Sequence, residues 1–135
     1  MRTRQTIELP RERKLLWIPS SNRDLSMFPE SVQREMLTAL EVARLGGKHP
    51  AAKPWHGAGP GVFELVVDDG DAYRVVYTVH FREAVYVLHA FQKKSTQGIK
   101  TAYRDVETVG HRLQRAADDY KGRYGERKKK QARRR

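Results

Sequence analysis

Arg74, His89, Lys93 and Lys94 are the side chains whose types and spacing suit work on a phosphate. Arg74 interrupts an apolar strand-like run. Strand alternation keeps it off the face that carries Tyr73, Val75 and Tyr77. A guanidinium there can fork two oxygens of one phosphate, or it can pair with Glu64 on the neighbouring strand. The next apolar run ends in His89-Ala90-Phe91-Gln92-Lys93-Lys94-Ser95-Thr96, which brings an amide, two lysines and two hydroxyls together. Adjacent lysines in an extended strand point to opposite sides, so only one can join a given groove. Lysines at such a place also protect a sheet edge from unwanted pairing. His89 faces the same side as Phe91 and Lys93. Its imidazole titrates near neutrality and can shuttle a proton, or it is a hydrogen-bonded strand residue.

A second group lies in the Pro/Gly/His-rich stretch 48–61, where Lys53, Trp55 and His56 stand close together. A lysine beside an aromatic ring and an imidazole suits single-stranded RNA, because a base can stack while the cation meets phosphate. The other reading is a tryptophan packed over the core edge beside a solvated lysine. Gln92 and Ser95 add hydrogen-bonding groups to the strand-end run.

Other chemistries find little support. The chain has no cysteine, which removes disulfides and thiolate metal sites. The five histidines are scattered without HxH or HxxxH spacing, so no metal and no cofactor is expected. Asp68, Asp69 and Asp71 crowd a tight turn and read as turn chemistry. Gly57-Ala58-Gly59-Pro60-Gly61 lacks the lysine and hydroxyl that complete a phosphate loop.

The elements that must position these groups follow from periodicity. A length of 135 residues predicts one domain with a single core. Residues 14–18 read as a strand stopped by Pro19. Ser20, Ser21 and Asn22 offer caps for a short helix over 23–28, with Ser21 and Asp24 at capping-box spacing. Pro29 suits the first turn of a second helix. Its apolar face is Val32, Met36, Ala39, Leu40 and Ala43, and Gly46-Gly47 ends it. Strands are expected over 63–68, 72–81 and 84–91, the first two joined by a hairpin at Asp68-Asp69-Gly70-Asp71. A long amphipathic helix spans 99–120 along Ile99, Ala102, Tyr103, Val106, Val109, Leu113, Ala116, Ala117 and Tyr120, closed by Gly122 and Gly125. The order β-α-α-β-β-β-α predicts an α+β domain, with helices against one face of a mainly antiparallel sheet.

Charge is uneven. Of the formal +11, residues 121–135 hold +8, which leaves +3 for residues 1–120. The tail reads as a disordered arm that raises nucleic-acid affinity without reading sequence. Residues 1–13 read as a mobile or edge segment, and 14–120 as the domain. No apolar run approaches the roughly 18 residues of a membrane span, and the charged N-terminus leads into no signal-peptide core. A cytoplasmic protein with no membrane partner is the expectation.

Several motifs together resemble the phage-derived HigB/RelE-like type II toxins of the RelE/ParE superfamily. They are Gly61-Val62-Phe63-Glu64-Leu65, Tyr73-Arg74-Val75-Val76-Tyr77 and the run from Val87 to Ser95. Phe28-Pro29-Glu30 and Lys53-Pro54-Trp55-His56-Gly57 fit as well, so the resemblance covers residues 14–120. It implies a RelE-like fold: a small sheet on two N-terminal helices, with a long C-terminal helix. It also implies a metal-independent endoribonuclease that cuts mRNA on the ribosome by 2′-OH attack and is held inactive by a cognate antitoxin, of helix-turn-helix type. By motif, Arg74 matches the arginine that braces the scissile phosphate, and Lys93 and Lys94 match the lysines after the last strand. Lys53 and His56 match the basic loop loosely. The tyrosine that such toxins carry near the chain end has no clear counterpart, because Tyr120 and Tyr124 lie in a different ending. Two rivals share the features: a ParE-like binding module that poisons a topoisomerase, and a nonenzymatic basic RNA- or ribosome-binding protein.

Overall fold

The computed structural model of the chain describes residues 12–93 and 99–125, with side chains from Tyr103 onward in the second stretch. The elements are β1 (Lys14–Trp17), α1 (Ser21–Ser26), α2 (Glu30–Arg44), β2 (Lys53–Pro54), β3 (Val62–Asp69), β4 (Asp71–Thr78), β5 (Ala84–Lys93) and α3 (Ile99–Tyr120). A π-helical turn, Lys121–Gly125, continues α3. The five strands form one sheet in the order β1-β5-β4-β3-β2. Only the β1–β5 pair is parallel.

The strands are apolar on both faces, and this sets the layering. Leu65, Val67, Val75, Tyr77, Val85, Val87 and Ala90 pack beneath Leu25, Val32, Met36, Ala39, Leu40 and Ala43 of α1 and α2. Val62, Val76, Ala84, Tyr86 and Leu88 face the other way and take Val109 and Ala116 of α3. The helices therefore occupy two faces rather than the one expected. A period-2 reading credits a strand with one buried face, and here both are buried.

A bulge in β5 decides which side chains reach the α3 face. Tyr77 pairs with Val87 but Val76 pairs with His89, so Leu88 has no cross-strand partner. The extra residue shifts the phase of alternation. Ala84, Tyr86 and Leu88 point toward α3, and so do His89, Phe91 and Lys93 beyond the bulge. The Nη1 of Arg112 in α3 donates to the Leu88 carbonyl at 3.0 Å.

Local differences have local causes. Ser20 rather than Ser21 precedes α1, with φ 84°, and no side chain among the described residues caps that helix. The Ser21 hydroxyl is buried and donates to the carbonyls of Ile18 and Val87, at 2.6 and 3.2 Å. It ties α1 to β5 instead of closing a capping box. Pro29 stands one position outside α2. Residues 48–61 contain the two-residue edge strand β2. β4 ends at Thr78, so Phe81 leaves the strand face and packs against Tyr86 and Tyr120. Tyr103 and Val106 lie on the expected stripe of α3, yet they are 66% and 40% exposed. Gly122 and Gly125 fall within the π-helical turn instead of stopping the helix. The Arg13 guanidinium donates to the Val79 carbonyl at 2.9 Å, which fastens the start of the described chain. Residues 1–11 and 126–135 of the expected terminal segments lie outside the described residues.

Among the described residues, no helix is long and apolar enough to cross a membrane. No group of three His, Cys, Asp or Glu residues among them could hold a metal ion.

Candidate functional site

Register across four strands assembles the site. Lys53 of β2 pairs with Glu64 of β3. Glu64 pairs with Val76 of β4, and Val66 with Arg74. Arg74 pairs with Phe91 of β5, and Ala72 with Lys93. Cross-strand partners share a face, so Lys53, Glu64, Arg74, Phe91 and Lys93 all lie on the α3 side of the sheet. Lys93 is the diagonal neighbour of Arg74, about 7–8 Å away between backbones, within reach of two long side chains.

Arg74 is anchored rather than free. Its Nη1 donates to Oε1 of Glu64 at 2.7 Å, with the side chains 25% and 16% exposed. The buried Nε–H has no acceptor among the described residues. The pair combines the two readings of this arginine, a salt bridge on a face that also carries other cations. Lys53 and Lys93 form no ion pair among the described residues.

His89 is 8% exposed and held at both ring nitrogens. Arg112 Nη1 lies 3.2 Å from Nδ1, and Asp105 Oδ1 lies 3.0 Å from Nε2. A guanidinium has only donors. Nδ1 therefore accepts, and Nε2 carries the proton toward the carboxylate. Burial pushes the imidazole below its usual pKa, against the upward pull of the Asp105 hydrogen bond, and the Arg112 charge adds to the fall. The ring stacks on Phe91 at 4.5 Å. This makes His89 a buried connector between β5 and α3, not an open proton shuttle.

Trp55 is 9% exposed and meets Phe91 edge-on at 6.5 Å between ring centroids. Its ring is packed in the core under α3, so the expected base-stacking face is not presented. The anchor for this placement is the Trp55 backbone N–H, which donates to the Val62 carbonyl at 2.8 Å. Lys53 and His56 are exposed on either side of it. Gln92 does not join the site: it pairs with Tyr73 on the α2 side, and its Nε2 donates to Asp71. Lys94 and Ser95 lie outside the described residues.

Tyr120 is structural. Its hydroxyl accepts the Glu83 N–H at 3.2 Å, and its ring packs at a tilt between Phe81 and Tyr124. The cleft of about 570 Å³ between β1 and the end of α3, lined by Leu16, Ile18, Tyr86, Arg115 and Asp119, includes none of the site residues. Sequence reasoning valued Glu64 only as a counter-ion for Arg74. The alternation that puts Arg74 on this face puts Glu64 there too, and that signal was available.

A four-stranded antiparallel core with a parallel edge strand, two helices on one face and a long C-terminal helix on the other is the fold of the RelE-type toxins. The chain superposes on the free RelE toxin of E. coli, in an arginine-to-alanine double mutant, with a TM-score of 0.54 and 14% identity over 76% of this chain and 98% of that one. At that identity the likeness establishes the fold. Within it, the chain belongs to the family of phage-derived proteins described as Gp49-like, whose model matches residues 23–114. The RelBE2 toxin–antitoxin complex of Mycobacterium tuberculosis aligns more loosely, with a TM-score of 0.38 and 18% identity over 61% of this chain and 92% of that one. No curated protein matches the sequence.

Proposed function

We propose that the protein is the toxin of a type II toxin–antitoxin pair and cleaves mRNA on the ribosome. The observation that carries the reading is the placement of Arg74 and Lys93 as diagonal neighbours on one sheet face, with Lys53 two strands away on the same side. Three cations on one rigid surface suit a backbone phosphate and the extra negative charge it gains when a 2′-OH attacks. That route uses the RNA's own hydroxyl as nucleophile and leaves a 2′,3′-cyclic phosphate and a 5′-hydroxyl. The cationic face supplies charge stabilisation, which is usually the largest contribution. A cognate antitoxin, of helix-turn-helix type, would restrain the toxin in the cell.

The test is primer extension on cellular mRNA after induction of the full chain in a bacterial host. Breaks phased with codons, absent when Arg74→Ala is induced at equal level, are the expected result. Intact mRNA accompanied by DNA damage would instead point to a topoisomerase poison and end the RNA reading.

A further inference from the structure

Attack by a 2′-hydroxyl needs a group to take its proton. The described residues narrow the choice. His89 is buried, both its nitrogens are occupied, and α3 covers it. Asp105 is equally buried and committed to His89. Lysine and arginine cations stabilise charge but are poor proton acceptors. Glu64 is placed differently: it is a carboxylate on the face shared by Lys53, Arg74 and Lys93, in direct contact with the guanidinium that would hold the phosphate.

We infer that Glu64 is the general base of the cleavage reaction. The inference rests on the RNA-cleaving reading above and deepens it by naming the residue that activates the nucleophile. Position supports it in two ways. Glu64 is the direct cross-strand partner of Lys53 and is hydrogen-bonded to Arg74, so it stands between two phosphate-binding cations. An O2′ hydroxyl lies on the carbon next to the one bearing the scissile phosphate, so a phosphate on Arg74 brings that hydroxyl beside the carboxylate.

The step balances. The O2′–H proton passes to a Glu64 carboxylate oxygen while O2′ forms its bond to phosphorus. The P–O5′ bond breaks, its electron pair stays on O5′, and O5′ takes a proton from the Lys93 ammonium. The products are a cyclic phosphate and a 5′-hydroxyl. The carboxyl group then returns its proton to solvent, and Lys93 regains one.

The test is single-turnover cleavage of ribosome-bound mRNA by the purified full chain and by Glu64→Gln. The amide still accepts a hydrogen bond from Arg74 but cannot take the proton. The cleavage rate should fall by about 10²–10⁴-fold, the range for loss of a general base, while RNA affinity stays within a few fold. The acid limb of the pH–rate profile should disappear with the carboxylate, a change that loss of a merely structural contact would not produce. Glu64→Asp keeps a base with a shorter reach, so it should cleave slowly and retain the acid limb. If either folded variant matches the wild-type rate and profile, Glu64 is not the base, even though the chain is a ribonuclease. If the wild-type chain itself cleaves nothing, the functional reading falls and takes this inference with it.

Discussion

The imidazole of His89 and the carboxylate of Asp105 lie 3.0 Å apart, joining β5 to α3 within the buried layer between them. Arg112 closes the other side of the ring and caps the Leu88 carbonyl left over by the bulge. The cluster holds α3 against the face that carries Arg74. Phe91, which stacks on the imidazole, is the cross-strand partner of Arg74. Polar groups in this layer therefore hold the sheet and α3 together beneath the face that Lys53, Arg74 and Lys93 share.

Replacing Asp105 with alanine leaves the His89 Nε2–H buried without an acceptor. A buried donor so stranded costs about 1–3 kcal/mol. The urea midpoint of Asp105→Ala should drop accordingly, and Asp105→Asn, whose amide oxygen can still accept, should recover part of it. Equal midpoints for wild type and Asp105→Ala would show that the contact holds nothing.

Acid should weaken the fold through His89. Its pKa is lowered in the folded state from an ordinary 6.5, so the unfolded chain binds the proton more readily. Stability rises with pH wherever the unfolded state holds more protons. The His89 contribution is thus complete above about pH 6.5 and shrinks as pH falls toward the folded pKa. Carboxylates with lowered values, such as Asp119 held by Tyr86 and Arg123, act at lower pH. Thermal unfolding between pH 8 and pH 5 should show a falling midpoint, and His89→Gln should flatten that slope. A parallel slope in the variant would place the titrating group elsewhere.

Lys93→Ala and Lys53→Ala should both weaken RNA binding evenly across sequences. Each lysine that meets a phosphate of single-stranded RNA contributes about 0.7 to the slope of log K against log salt. Filter binding across a salt series should lose roughly that increment for each variant. A slope that does not change would mean that the lysine in question only protects the sheet edge.

Gly61→Ala should destabilise the entry to β3. Gly61 has φ 82°, and an added Cβ would come within 3.2 Å of the His80 Cα and Cβ atoms. The Gly61 carbonyl also accepts from the Val79 N–H and the Thr78 hydroxyl, at 2.8 and 3.0 Å, so the backbone has little freedom to move away. The conformation alone costs an L-residue about 1–2 kcal/mol. A denaturation midpoint equal to wild type would contradict this account.

Much of the architecture was legible because it rests on period. The apolar stripe of α2 is buried at every position read from the sequence: Val32, Met36, Ala39, Leu40 and Ala43. The bounds of α3, Ile99–Tyr120, follow the same logic. The caps were less legible. Ser21 can bond a neighbouring amide or a strand carbonyl equally well, and packing of α1 on β5 selected the carbonyls. The roles of Trp55 and His89 were also open, since a ring that stacks on a base and a ring that fills a core are the same residue.

Sequence by itself determined the inventory: an arginine in a strand, a carboxylate alternating between Phe63 and Leu65, and lysines at the strand end. Tertiary structure decided which lysine of the adjacent pair joins Arg74. Strict alternation from Val85 and Val87, which lie beneath α2, would send Lys93 to that side. The unpaired Leu88 shifts β5 by one residue and turns His89, Phe91 and Lys93 toward Arg74 and α3. The physical reason is that a bulge answers to the partner strand and to the helix that takes its spare carbonyl. Those contacts lie far away along the chain, and no local period records them.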